Sequence, residues 1–321
     1  MDERGELRGQ VLDGRYRIGR RIGLGGTGVV FEAACLRGGG SVALKTLRPC
    51  FVSHPDLGRR LQREAEVARR VRHPGIPQVL DEGVLGDGSP YVVMPLLRAE
   101  SLSKVLLRMG SLPAAPVLAL ATRVAAILHS AHCAGYVHRD IKPEHVLLDL
   151  APGGELIVYL LDFGVCSSRD APGDERQREK GKVFGTPSYV SPEQAAGECD
   201  VDGRADLFSL GILMFEALTG RLPFAGPSVS KLLVRIIRED APRLSELLPG
   251  IDPAVERLVA RLLARDPEER FPSARALSRA ILPLCDRTSA EREVVGALRV
   301  AARMPELATT RPTDVSVPRV A

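Results

Sequence analysis

Val137-His138-Arg139-Asp140-Ile141-Lys142-Pro143-Glu144-His145-Val146-Leu147-Leu148 is the stretch whose reading decides the fold. A strand-like apolar run stops at a charged Arg-Asp-x-Lys knot and resumes as Val-Leu-Leu. Charges set between apolar runs need partners or a chemical reason to be there, because desolvating an unpaired charge is costly. A second short motif, Leu161-Asp162-Phe163-Gly164, follows a little further on.

Upstream of this knot the chain reads as strands. Residues 1–15 are polar and Gly-containing, which predicts a flexible lead-in. Tyr16-Arg17-Ile18 and Val29-Val30-Phe31 flank a glycine cluster, and Ser41-Val42-Ala43-Leu44-Lys45 gives a third strand. Between Asp56 and Arg72 the period turns helical: Leu57, Leu61, Ala65, Ala68 and Val71 recur at three- and four-residue steps, with Glu64 at the edge of the apolar face. His73-Pro74-Gly75 ends that helix. Further strands are expected over Gln78–Leu80 and Tyr91–Met94. After Pro95 the pattern predicts helices over Pro113–Ala134, Asp206–Leu218 (closed by Gly220), Ala254–Ala264 and Ser273–Leu282. The first two are apolar all round and therefore buried. Strands first and helices second predict an α+β fold of two lobes, with a ligand expected in a cleft between them. Beyond Pro283 a short helix with Val294, Val295 and Leu298 on its apolar side precedes a Thr- and Pro-containing tail that reads as disordered.

The glycine cluster is Ile22-Gly23-Leu24-Gly25-Gly26-Thr27-Gly28-Val29-Val30. Glycines between two strands let backbone N–H groups approach phosphate oxygens without interference from Cβ atoms. The G-x-G-x-x-G pattern also serves dinucleotide folds, but there it leads into a helix; here it leads into a strand. Lys45 ends the run Ala43-Leu44-Lys45 and is the only lysine in the first hundred residues.

Taken together, these motifs resemble the eukaryotic-type protein kinases, and in particular the bacterial Hanks-type serine/threonine kinases. Asp140 lies in a close match to H-R-D-L-x-x-x-N and Asp162 in D-F-G. The resemblance runs from about Tyr16 to Pro283. It implies a protein-kinase-like two-lobe fold, with an N-lobe over 16–95 and a C-lobe over 96–283, followed by the 284–321 extension. It implies binding of ATP and a divalent cation, Mg2+ or Mn2+, and phosphorylation of protein substrates on Ser or Thr. By the same resemblance, the loop from Ile22 to Val30 covers the phosphates and Lys45 pairs with them, anchored by Glu64. Val30, Ala43 and Leu147 sandwich the adenine. Asp140 accepts the hydroxyl proton, Lys142 contacts the transferring phosphate, and Asp162 holds the metal. His138 and Phe163 pack inside.

Gly185-Thr186-Pro187-Ser188-Tyr189-Val190-Ser191-Pro192-Glu193 resembles the close of a kinase activation segment, with Ser191 where the family usually has Ala. The resemblance gives Thr186 a part in orienting the substrate hydroxyl, pairs Glu193 with Arg270, and has Asp206 brace the catalytic loop. A segment of this kind suits a protein acceptor better than a small molecule.

The chain departs from the family pattern in three places. His145 stands where Asn would be a neutral oxygen ligand for a second metal. Magnesium favours oxygen, whereas imidazole suits softer ions. Three outcomes are open at this point: one well-held metal at Asp162, a preference for Mn2+, or nucleotide binding without turnover. The first two describe an active kinase and the third a pseudokinase scaffold. The segment between Cys166 and Phe184 offers Ser167 and Ser168 but is otherwise dominated by charge, which argues against regulation by autophosphorylation there. Cys166 itself reads as a buried, inert thiol. The presumed hinge Met94-Pro95-Leu96-Leu97 includes a proline, which supplies a C=O but no N–H.

Bulk properties agree with a globular enzyme. The 321 residues are 45% hydrophobic and 26% charged, and the formal net charge of +4 is too small to suggest a nucleic-acid binder. The six cysteines form no C-x-x-C pair, which fits reduced thiols in a cytoplasmic setting and neither a zinc site nor a disulfide framework. The charged N-terminus has no signal-peptide character. No apolar stretch is expected to reach the ~20 residues of a membrane span. The substrate's identity and the oligomeric state are left unassigned.

Overall fold

The computed structural model describes residues 7–165, 167–168, 181, 183–285 and 287–301. The chain divides into two compact units, Met1–Arg98 with Leu161–Val165, and Ala99–Leu160 with Cys166–Ala321.

The first unit is built on a six-stranded antiparallel sheet. Its strands are β1 (Val11–Leu12), β2 (Tyr16–Leu24), β3 (Gly28–Cys35), β4 (Ser41–Leu47), β5 (Asp81–Val84) and β6 (Pro90–Pro95). They lie in the order β1-β2-β3-β4-β6-β5. Antiparallel pairing with Val30 opposite Lys45 and Phe31 opposite Leu44 assigns side chains to alternate faces. On one face Ile18, Val29 and Phe31 form a buried cluster, and Leu44 joins Tyr16, Ala33, Leu85, Tyr91 and Val93 in another. On the opposite face Val92 packs against Leu61 and Ala65 of helix α1 (Pro55–Arg70). Lys45 pairs with Val92, so it shares the face on which α1 lies.

Two expectations need correcting here. Residues 7–15 are not a loose lead-in: they include β1, and Leu7 and Leu12 pack against the sheet core. The strand expected at Gln78–Leu80 lies at Asp81–Val84 instead. Leu80 is 55% exposed and contributes a backbone bond to Val93 rather than an inward side chain.

The second unit is mainly helical. It contains β7 (Glu100–Ser101), α2 (Leu102–Met109), α3 (Ala114–Cys133), β8 (Tyr136–Val137), β9 (Val146–Leu150), β10 (Leu156–Leu160) and β11 (Ser167–Ser168). Helices α4 (Pro192–Ala195), α5 (Gly203–Thr219), α6 (Val229–Arg238), α7 (Leu244–Leu247), α8 (Pro253–Leu262), α9 (Ala274–Ile281) and α10 (Arg287–Ala301) follow. Helix α5 is buried nearly all round, as its composition requires, and Gly220 closes it in the left-handed conformation. Helix α3 is long and apolar enough to cross a bilayer, contrary to expectation, but most of it is buried inside this unit. The hairpin β9–β10 pairs Val146 with Leu160. It therefore places the end of the opening stretch beside the residue that precedes Leu161-Asp162.

Helix α10 lies beyond the expected domain end, with Val294 and Leu298 buried and Glu291 bound to Arg123 of α3. The tail around Thr309–Thr313, Cys166, and the charged run from Arg169 to Lys180 with Lys182 lie outside the described residues.

Candidate active site

The first unit supplies the glycine hairpin and an ion triad. Strand β2 ends at Leu24 and β3 begins at Gly28, with Gly25 N–H bonded to Gly28 O at 2.9 Å. Gly23, Gly25, Gly26 and Gly28 do not adopt positive φ, so their smallness rather than their handedness matters here. A Cβ on Gly28 would lie 3.2 Å from Thr46 O and 3.6 Å from Lys45 Cε. Gly28 thus lets the hairpin lie directly over the lysine. Ile22, Leu24 and Thr27 are exposed along the hairpin, and Arg48 ties it down through N–H to Thr27 O and Nη1 to Gly26 O.

Val30 and Ala43 share the Lys45 face by register. Val29 does not: it is fully buried on the opposite face with Ile18 and Phe31. The loop reading rests on backbone N–H groups, which leaves the Val29 side chain to turn into the core by strand alternation.

Lys45 Nζ is 2.6 Å from Glu64 Oε2 and 3.4 Å from Asp162 Oδ1. Burial alone would push the ammonium down, but the two carboxylates outweigh it and hold its pKa above the ordinary lysine value. The amine is therefore a permanent cation. Asp162 has a left-handed backbone, φ 67°, and leads into a single 3₁₀ turn, Phe163–Val165, with Phe163 buried. Its carboxylate is 39% exposed.

The second unit supplies an acid and its clamps. Asp140 Oδ1 accepts from Thr186 N and Thr186 Oγ1, both at 2.8 Å, and Oδ2 accepts from Lys142 Nζ at 3.0 Å. Lys142 Nζ also donates to Thr186 Oγ1 at 2.6 Å. Burial would raise the Asp140 pKa, but it is held below the usual aspartate value by attraction to His145 and Lys142 and by hydrogen bonds from Lys142 and Thr186. The carboxylate is thus ionised and oriented, ready to receive a proton.

Behind it, Asp206 in the first turn of α5 accepts from His138 N at 2.9 Å, Arg139 N at 2.8 Å and His132 Nε2 at 2.8 Å. Fully buried, it would otherwise be driven towards protonation. Bonding and charge from His132, then His138, reverse that and keep its pKa low. Arg139 is left-handed, φ 66°, a costly conformation for a non-glycine residue, and the Asp206 bond helps to hold it. The next backbone amide, Asp140 N–H, donates to His138 Nδ1 at 3.2 Å.

His145 Nδ1 lies 2.8 Å from Asp140 O and 3.5 Å from Asp140 Oδ2. A carbonyl can only accept, so Nδ1 carries a proton, which leaves Nε2 as the ring's candidate ligand atom. Histidines that ligate metals are oriented in this way by a backbone carbonyl. Asp162 offers a hard carboxylate, and among the described residues no group of three or more His, Cys, Asp and Glu side chains could hold a metal by itself. The Asp162 carboxylate by itself suits a hard cation that takes few protein ligands and completes its shell from phosphates and water.

The resemblance placed Glu193 opposite Arg270, and the pair is bidentate, at 2.8 and 2.9 Å. It is no surface ion pair: Arg270 is buried, and its remaining N–H groups bond to Ala264, Arg204 and Arg265 carbonyls. Leu147, on β9, is half-buried. Two supporting residues escaped the sequence reading. His132 carries no motif, and its bond to Asp206 appears only in three dimensions. Gln194 was signalled by Ser191-x-x-Gln194, the S-x-x-Q capping-box pattern, which the structure forms in full.

Comparison with known proteins agrees with this geometry. The family described as protein kinase domain matches residues 16–281. The chain is 34% identical to serine/threonine-protein kinase pkn3 of Myxococcus xanthus, over 96% of this chain and 57% of that protein. It is 35% identical to serine/threonine-protein kinase PknA of Mycobacterium tuberculosis, over 97% of this chain and 67% of that protein. Serine/threonine-protein kinase PknD of the same species is 34% identical over 94% of this chain and 44% of its own length. The chain therefore spans between about two fifths and two thirds of the length of the relatives it matches. With Lys45–Glu64–Asp162 and Asp140–Lys142–Thr186 in place and the family match running across both units, the chain belongs to the protein kinase domain family.

Proposed function

We propose that this chain is a serine/threonine protein kinase that transfers the terminal phosphate of ATP to a protein hydroxyl. The observation that carries this reading is the ionised Asp140 carboxylate, clamped by Lys142 and both donors of Thr186. A structural ion pair would not need a third donor that also bonds to the lysine; an acid aligned for a hydroxyl proton would.

In this mechanism the glycine hairpin and Lys45 hold the triphosphate, with Glu64 fixing the lysine stem. The family resemblance assigns the adenine to Val30 and Ala43 of the first unit and Leu147 of the second. Asp140 takes the acceptor hydroxyl's proton as the oxygen attacks. Lys142 neutralises charge on the transferring group, and Thr186 orients the acceptor. The family resemblance assigns the divalent cation to Asp162 of the first unit and to His145, through Nε2, of the second. When bound, Mg2+ or Mn2+ supplies charge neutralisation on the phosphates. Because His145 offers nitrogen where the family offers oxygen, Mn2+ should be favoured relative to Mg2+.

The same residue favours a second reading, a nucleotide-binding scaffold with little turnover. The retained Lys45, Glu64, Asp140, Lys142 and Asp162 weigh against it, since a weakened electrostatic contribution slows phosphoryl transfer without abolishing it. Cys35, Cys50, Cys133, Cys199 and Cys285 form no disulfide, which suits a reducing, ATP-containing cytoplasm. The deciding experiment is incubation with γ-labelled ATP, a generic acceptor protein, and Mg2+ or Mn2+ in turn. Label on Ser or Thr that disappears in Asp140→Asn supports the kinase. Nucleotide binding without label under either metal supports the scaffold.

A further inference from the structure

Gln194 occupies the third position of helix α4, with Ser191 as its N-cap. Ser191 N–H and Oγ lie 3.2 and 3.1 Å from Gln194 Oε1, and Gln194 N–H donates back to Ser191 Oγ at 3.4 Å. Both residues are buried. A backbone N–H can only donate, so the side of the amide facing Ser191 must be its oxygen. The amide nitrogen then points the other way, and Nε2 donates to Arg139 O at 3.0 Å and Phe184 O at 3.4 Å.

These two carbonyls are not arbitrary. Arg139 is the left-handed residue immediately before Asp140, and its own N–H is held by Asp206. Gln194 grips the opposite end of that residue. Phe184 precedes Gly185, which has φ 97° and whose missing Cβ would lie 2.5 Å from the same Arg139 oxygen. One residue further, Thr186 reaches Asp140. One carboxamide therefore ties the backbone leading to the acid to the backbone leading to its hydroxyl partner. The neighbouring charges are already engaged, Glu193 with Arg270 and Asp140 with Lys142.

The geometry points to Gln194 as a positioning residue for phosphoryl transfer, its amide oriented by Ser191 so that Asp140 and Thr186 stay in register. This inference rests on the kinase reading of the same site. It also gives a purpose to Ser191: its hydroxyl is one of the two groups that fix the amide.

The test uses the full chain with ATP, Mg2+ or Mn2+, and casein as acceptor. Gln194→Glu keeps shape and size but replaces the donor with an oxygen facing two carbonyls. It should lower kcat on the order of 10- to 100-fold while leaving the KM for ATP nearly unchanged, and because it buries an acceptor against two carbonyls it should also lower the melting temperature by several degrees. Ser191→Ala should lower kcat less, and should add nothing in the Gln194→Glu background. Amide hydrogen exchange should rise locally over 138–142 and 184–186. Unchanged kcat with unchanged exchange overturns the proposal. So does a loss of kcat accompanied by exchange raised throughout the second unit rather than over 138–142 and 184–186. If the wild-type chain transfers no phosphate, the kinase reading fails by itself. The local exchange response of Gln194→Glu and Ser191→Ala then decides whether Gln194 holds the loop.

Discussion

His145 Nδ1 donates to the backbone carbonyl of Asp140 at 2.8 Å. The substitution that departs most from the kinase pattern thus keeps one half of an asparagine's capacity, the donor, and changes the other half from oxygen to nitrogen. A donor to the loop carbonyl is thus retained where the atom left to face a ligand is a nitrogen.

His145→Asn should accordingly raise Mg2+-supported turnover on the order of tenfold and lower the ratio of Mn2+ to Mg2+ activity. Steady-state rates with each metal check this, together with Mn2+ binding in the presence of a non-hydrolysable ATP analogue. No gain in rate and no change in metal preference would remove His145 from the metal site.

Asp206 links stability to pH. Its pKa in the folded chain lies below the ordinary aspartate value, so its contribution is present above the unfolded value, about 4. That contribution is lost as pH falls from there through the folded pKa. Asp206→Asn should cost on the order of 3 kcal/mol at neutral pH, since bonds to a charged acceptor are worth about 1.5–3 kcal/mol each. The gap between wild type and variant in urea melts should shrink below pH 4. A gap constant with pH would mean that the carboxylate's charge is not what braces the loop.

Arg270 uses its planar fork in full, with a bidentate carboxylate and three carbonyls, and its guanidinium lies over the Phe208 ring at 4.8 Å. A lysine cannot reproduce that fork. Arg270→Lys should destabilise the second unit by about 3–5 kcal/mol, measured by denaturant unfolding. A loss below about 1 kcal/mol would assign the pair to the weak class of surface bridges.

Much of the fold was legible because period and motif agreed. Leu61, Ala65 and Ala68 marked α1 and so placed Glu64, and the apolar run at Asp206–Leu218 marked α5. The misplacements have physical causes. Leu80 looked like a strand residue but is exposed, while Gly83, a weak strand former, lies within β5 because its missing Cβ makes room for the Tyr91 ring. His132 was illegible because its partner, Asp206, is 74 residues away. Helix α6 was passed over although Leu232 and Ile236 lie four residues apart on its buried side.

Neutralising Lys45 is the most direct measurement of all. Its ammonium lies between Glu64 and Asp162 and is held charged by both. Lys45→Met should weaken nucleotide binding and lower label transfer from ATP to an acceptor protein by at least ~100-fold, with the melting temperature little changed. Wild-type nucleotide affinity and undiminished transfer in Lys45→Met would contradict a mechanism in which this amine holds the triphosphate.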